Sequence, residues 1–189
     1  MAKPAFEWAD PFLLDEQLSS EERGPELVAG HNGYVATHGL THVRSVELSA
    51  NGRGLVGEDT LATVTDNDKA AFDAALDKTG LQGILFHIRF HLHPDVDAET
   101  DLGGTAISLA LKSGEIWVFR HDGVAKMTLQ PSVFLEKGRL KPRATKQIVL
   151  SARAMKYATR VRWTLAKAQD TPSHVRDLER DDSEMMTDV

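Results

Sequence analysis

Cysteine is absent from all 189 residues, which excludes disulfides and thiolate metal ligands and leaves histidine and carboxylate as the metal ligands on offer. Such usage fits a reducing compartment. A basic excess is absent too: 28 Asp and Glu stand against 22 Lys and Arg, for a formal charge of -6 with histidine neutral. Nothing draws the whole chain to nucleic acid or to an anionic membrane, so neither is expected as a partner, and any polyanion has to be recognised by a local patch. The start, Met1-Ala2-Lys3-Pro4-Ala5-Phe6-Glu7-Trp8, lacks the apolar core of a secretory signal, and no stretch approaches the ~20 apolar residues that span a bilayer. As written, the chain is expected in the cytoplasm. Internal repeats are missing, and helical patterns are scarce.

What is present is a run in which two chemistries alternate, Ile84-Leu85-Phe86-His87-Ile88-Arg89-Phe90-His91-Leu92-His93-Pro94. At strand spacing Ile84, Phe86, Ile88, Phe90 and Leu92 point one way, and His87, Arg89, His91 and His93 the other. One face is core. The other offers imidazoles and a guanidinium for proton transfer, anion binding or metal binding.

Elsewhere the pattern is of short strands. The Thr41–Ser49 segment places Val46 and Leu48 on one face, and Asn51-Gly52 signals a tight two-residue hairpin into a strand over Leu55–Val64. Residues 65–81 read as a surface loop or one short helix, with Phe72 and Leu76 at helical spacing among acids and lysines. Residues 94–104 read as an acidic loop. Strands follow over 105–111, 115–121, 124–130, 132–136, 144–151 and 159–166, separated by Gly-containing turns. The expectation is an all-β protein, an antiparallel β-sandwich of about nine strands with a short helical or irregular N-terminal segment. Three parts are expected: a polar segment over 1–24, extraneous to the sandwich; the sandwich over 25–168; and a charged, mobile tail over 169–189.

Two constellations carry chemistry. His91 and His93 share a strand face about 6 to 7 Å apart, within reach of one divalent ion such as zinc, with His31, His42 or Asp59 as a third ligand. The alternative is that both imidazoles sit on a solvated or hydrogen-bonded sheet face. A cupin-like reading of His91-Leu92-His93 is disfavoured, because Glu99 lies too far on. The second constellation is His31-Asn32-Gly33-Tyr34 with Gly39-Leu40-Thr41-His42-Val43-Arg44, where His42 and Arg44 share a face. A pocket of His, Tyr and Arg suits proton abstraction beside a carboxylate: the cation neutralises the acid while imidazole or phenolate takes the proton. The competing reading pairs Arg44 with Glu47 or Asp59. Trp117, Phe119 and Trp163 are expected in the core, and the basic stretch 137–143, lacking interleaved aromatics, as a solvated turn.

From about Leu27 to Ala168 the ordered motifs His31-Asn32-Gly33-Tyr34, Gly39–Arg44, Gly57-Glu58-Asp59-Thr60-Leu61, Arg89–Pro94, Gly114–Arg120 and Gln147–Leu150 resemble the C-terminal β-sheet region of heparinase II/III-like proteins. The resemblance implies polysaccharide lyase chemistry, β-elimination on uronic-acid-containing glycans, in a cleft between that sheet region and a preceding α/α toroid. Asn32 stands where the family usually has Asp. The toroid and the upstream zinc-binding part of the sheet region have no counterpart here, which lowers the metal reading for His91 and His93. The implied protein is a sandwich not catalytically complete alone. Its candidate substrate contacts are His31, Tyr34, His42, Arg44, Arg89, His91 and His93, and its implied partners are an acidic polysaccharide and a toroid supplied separately. Self-association is expected through any surface the toroid would cover. Residues 6–23 separately resemble the start of glutaryl-CoA dehydrogenases, which suggests a join near Arg23-Gly24.

Overall fold

Two antiparallel sheets of unequal width form the molecule. The computed structural model describes residues 23–138 and 140–168; nearly all of the 1–24 segment and all of the 169–189 tail fall outside them. In chain order the elements are β1 (Arg23–Tyr34), α1 (Val35–His38), β2 (Leu40–Ser49), β3 (Gly54–Ala62), α2 (Asp66–Lys78), β4 (Ile84–His91), β5 (Val96–Asp101), β6 (Ala106–Leu111), β7 (Ile116–His121), β8 (Lys126–Phe134), β9 (Arg143–Ala154) and β10 (Ala158–Lys167). The large sheet has the order β1-β2-β3-β10-β7-β6-β5 and the small one β4-β9-β8. The described residues form ten strands against about nine expected, and two stretches differ from the expectation in detail.

The acidic stretch after Pro94 is a strand, not a loop. In β5, Ala98 is buried against the core while Asp97, Glu99 and Asp101 face solvent. An acid at every second position carries little apolar signal, and pairing with β6 decides the conformation. The same acids discourage another chain from adding to this sheet edge. The second difference is that β8 continues through Pro131, where a break between two strands is expected. As an edge strand β8 tolerates a residue with no N–H to donate.

The β2–β3 connection also departs from expectation. Four residues, Ala50–Arg53, link the strands, and of the Asn-Gly pair only Gly52 takes a positive φ, 68°. Asn51 works through its side chain, whose Oδ1 accepts from the Arg53 N–H at 2.9 Å and from the Ser49 hydroxyl at 2.8 Å.

Between the sheets lies a core of Ile88, Ile107, Phe119, Ile148, Leu150, Val161 and Trp163. Phe119 and Trp163 are 2% and 4% exposed, as expected for core aromatics, and Trp117 packs against their cluster. Gly57 faces Trp163 across the β3–β10 pair, and any Cβ there would collide with the indole, so the close approach requires glycine.

A second, smaller core forms under α2. Thr65 and Asp68 make a reciprocal capping box, the Thr65 hydroxyl accepting from the Asp68 N–H at 3.2 Å and the Asp68 carboxylate from the Thr65 N–H at 3.0 Å. The helix buries Phe72 and Ala75 against Leu40, Leu61, Ile84 and Ala154. Full burial of Phe72 alone contributes about 1.5–3 kcal/mol. Gly39, at φ 63°, ends α1, and any Cβ there would collide with the Asp68 carbonyl, so the close approach of α1 to the start of α2 requires glycine.

Candidate functional site

Seven strands cannot be covered by three. The small sheet and α2 pack on the centre and one corner of the large sheet, and the inner face of β1 and β2 extends past β4 as a shelf. Where shelf and β4 meet there is a cavity of about 400 Å³, lined by Tyr34, His38, His42, Arg44, Asp59 and the β4 residues Ile84–Arg89. That volume lies within the usual range of small-ligand sites.

Strand register assembles the polar floor. His31 lies opposite His42 across β1–β2, Arg44 opposite Asp59 across β2–β3, and Trp163 opposite Gly57 across β3–β10. Residues two apart share a face, so His42, Arg44, Asp59 and Trp163 converge. Asp59 is 3% exposed and is the hub. Arg44 donates to it twice, from Nε to Oδ1 at 2.8 Å and from Nη2 to Oδ2 at 3.1 Å. Trp163 Nε1 donates to Oδ2 at 2.9 Å, and His42 Nε2 lies 2.7 Å from Oδ1. Burial by itself would raise the Asp59 pKa; the hydrogen bonds from His42, Arg44 and Trp163 outweigh it and hold the carboxyl below its ordinary value. The Arg44 guanidinium also lies 5.2 Å from the Phe90 ring and 5.9 Å from that of Trp163, so its charge is framed by aromatic faces.

These partners assign the tautomers. An ionised carboxylate only accepts, so His42 donates from Nε2. Neutral His42 then keeps its lone pair on Nδ1, which accepts from His31 Nε2 at 3.1 Å. His31 in turn keeps its lone pair on Nδ1, where the Gly33 N–H donates at 3.2 Å. The chain of hydrogen bonds runs one way from Gly33 to Asp59 and satisfies both imidazoles as neutral rings. Neither retains an uncommitted lone pair for abstracting a proton.

Of the sequence candidates, His31, Tyr34, His42 and Arg44 come together; the Tyr34 ring meets His31 edge-on at 5.2 Å and is 48% exposed at the rim. Arg89 stands at the β4 edge of the cavity. His91 and His93 do not join them. The β4 alternation is as read from the sequence, with Ile84 and Ile88 buried and His87, Arg89 and His91 exposed, so the polar row faces away from the inter-sheet space. His91 Nδ1 hydrogen-bonds Ser132 Oγ at 2.9 Å, while His93 Nδ1 accepts from the Asp95 N–H at 3.2 Å and its ring meets Phe134. Among the described residues no group of three His, Asp or Glu is placed to hold a metal ion, and His31, His42 and Asp59 bind one another instead. The competing reading, Arg44 paired with Glu47 or Asp59, is met by Asp59, whereas the convergence of His42 and Trp163 on the same carboxylate had no signal in the sequence.

Comparison with known proteins bears on this geometry. Heparan sulfate lyase HepC from Pedobacter heparinus superposes with a TM-score of 0.55 at 10% identity, over 79% of this chain and 20% of that one. A heparinase III does so at 0.55 and 11%, over 78% of this chain and 20% of that one. At such identity the likeness is one of fold. FtsZ-localized protein C of Caulobacter vibrioides is 31% identical over 166 residues, 84% of this chain and 27% of that protein, so the chain spans about a quarter of that relative's length. Among the described residues no helix is long and apolar enough to cross a membrane. The family model described as heparinase II/III-like, C-terminal, matches residues 3–164, running through the segment likened to glutaryl-CoA dehydrogenases, a likeness that finds no support. With that match over most of its length, the chain belongs to the heparinase II/III-like family, as a C-terminal domain.

Proposed function

We propose that this domain supplies the carboxylate-binding half of a cleft for uronic-acid-containing polysaccharide in a β-eliminating lyase, and is not catalytically complete alone. In that reaction a base removes the proton at C5, the C–H electron pair forms the C4=C5 double bond, and the C4–O bond breaks with its oxygen taking a proton. The proton at C5 becomes acidic enough only when the neighbouring carboxylate is neutralised. The observation that carries this reading is the charge of the cavity. Arg44 and Arg89 border it against one carboxylate, Asp59: the Arg44–Asp59 pair cancels, and Arg89, on the outward row of β4 at the cavity rim, leaves one positive charge. Arg44 is positioned by Asp59, and Arg89 offers a cation at the rim.

Because the lone pairs of His31 and His42 are committed, the proton-transfer groups belong to a preceding toroid. The same observation favours a second reading, a non-catalytic carbohydrate-binding module. Ultraviolet absorbance of unsaturated uronate products separates them. The expected result is no product from this chain on heparan-type or alginate-type polymer, and product when an α/α-toroid of the family is supplied. Product from the chain alone would overturn the assignment of incompleteness; none in either case, with binding retained, would establish the module. Arg89→Ala is expected to weaken binding of a short uronate oligomer about tenfold, the loss of one charge-assisted contact. Cytoplasmic placement is proposed as well, tested by cell fractionation.

A further inference from the structure

We infer that the outer face of the small sheet is a second binding surface for the same acidic polysaccharide, on which a long chain lies after leaving the cleft over the β4 edge. The class of ligand rests on the reading above; the surface itself rests on separate observations. The core-facing residues of this sheet, Ile88, Ile148, Leu150, Met127 and Leu129, fix the parity of its strands, so their neighbours point outward. No outward residue on the three strands is acidic, in a chain whose net charge is -6. Outward cations are Arg89 on β4, Lys126 on β8 and Arg153 and Arg143 on β9. Arg143 is neutralised by Asp95 at 2.8 Å, whereas Arg153 donates only to the carbonyls of Gln82 and Gly83 at 3.2 and 3.1 Å and keeps its charge.

Between the cations the face is built of hydrogen-bonding groups already held in place. His87 Nδ1 bonds Ser151 Oγ at 2.9 Å, and His91 Nδ1 bonds Ser132 Oγ at 2.9 Å, which leaves each Nε2 for a ligand. Val149 points outward in register with Arg89 yet is 0% exposed, so the surrounding side chains lie down over the sheet. Strands β4 and β8 are about 10 Å apart, so Arg89 and Lys126 span a width suited to a single polysaccharide chain. Hydroxyl-rich polymer with spaced anions matches these cations and amide, hydroxyl and imidazole groups. Single-stranded nucleic acid asks for stacking aromatics, and the one outward aromatic here, Phe134, is engaged by His93.

Titration calorimetry of this chain with a disaccharide and with long oligomers, heparan-type and alginate-type, tests the surface. The disaccharide reports the cleft and the oligomer reports cleft plus face. Lys126→Glu is expected to weaken oligomer binding tenfold or more and to leave the disaccharide unchanged. Lys78→Glu, the same charge change on α2, is expected to stay within twofold of the parent. Oligomer affinity unaltered by Lys126→Glu, or lowered equally by Lys78→Glu, overturns the surface. Disaccharide that fails to bind while Lys126→Glu still weakens the oligomer sinks the cleft and upholds the face. Loss confined to the heparan-type oligomer assigns the face to sulfate; equal loss on both assigns it to carboxylate.

Discussion

Asp59 gathers three side chains around one carboxylate, and the consequences of changing it are specific. Asp59→Asn preserves the shape and an acceptor for Trp163, but it removes the charge that Arg44 and His42 address. The expected cost is about 2 kcal/mol, the difference between charge-assisted and neutral hydrogen bonds in a buried site, read as a lower urea midpoint with unchanged slope. Unchanged stability would show that the hub is dispensable to the fold. Because the folded pKa is depressed below the unfolded value of about 3.9, the Asp59 contribution is fully present above about pH 4. It is lost as pH falls through the folded value. In the Asn variant that acid-side loss of stability is expected to be smaller.

Among the elements, α2 was half legible. Its capping residues and the Phe72–Leu76 spacing are in the sequence, yet acids and lysines around them fit a solvated loop equally well, and burial of Phe72 against Ile84 and Leu40 decides. Removing the cap by Thr65→Ala is expected to cost about 1 kcal/mol, measured by thermal unfolding with α2 helicity followed by circular dichroism. A loss under a few tenths would mean that tertiary packing alone holds the helix start. Strand β4 was fully legible, since alternation over eight residues admits one buried face. Strand β5 was not, because Val96 and Ala98 among acids give no periodic apolar signal.

At the scale of the molecule, the mismatch between a seven-stranded and a three-stranded sheet creates both the cavity and an exposed shelf. Strand β1 ends the strand order of the large sheet and carries Leu27 and Val28 at 67% and 51% exposure, with the single acid Glu26 where β5 at the other edge has an alternating row of them. Concentration-dependent self-association through this edge is expected by light scattering, and Leu27→Lys is expected to reduce it. A monomer at high concentration would count against it. At the β4 edge His87 and Arg89 border the same cavity as His42 and Arg44.

Local periodicity by itself determined which side chains of each long strand are buried, that the protein is built of antiparallel strands, and which ordered motifs mark its family. Each of these follows from neighbours in the chain, where alternation and turn chemistry act. Only the tertiary structure decided which polar groups meet. Trp163 reaches Asp59 from 104 positions away, and Arg44 meets the same carboxylate through β2–β3 register. Alternation assigns a side chain to a face but not the strand that will lie beside it. Pairing of distant strands placed His42 and Arg44 in the cavity and set His91 and His93 on the far side of the small sheet.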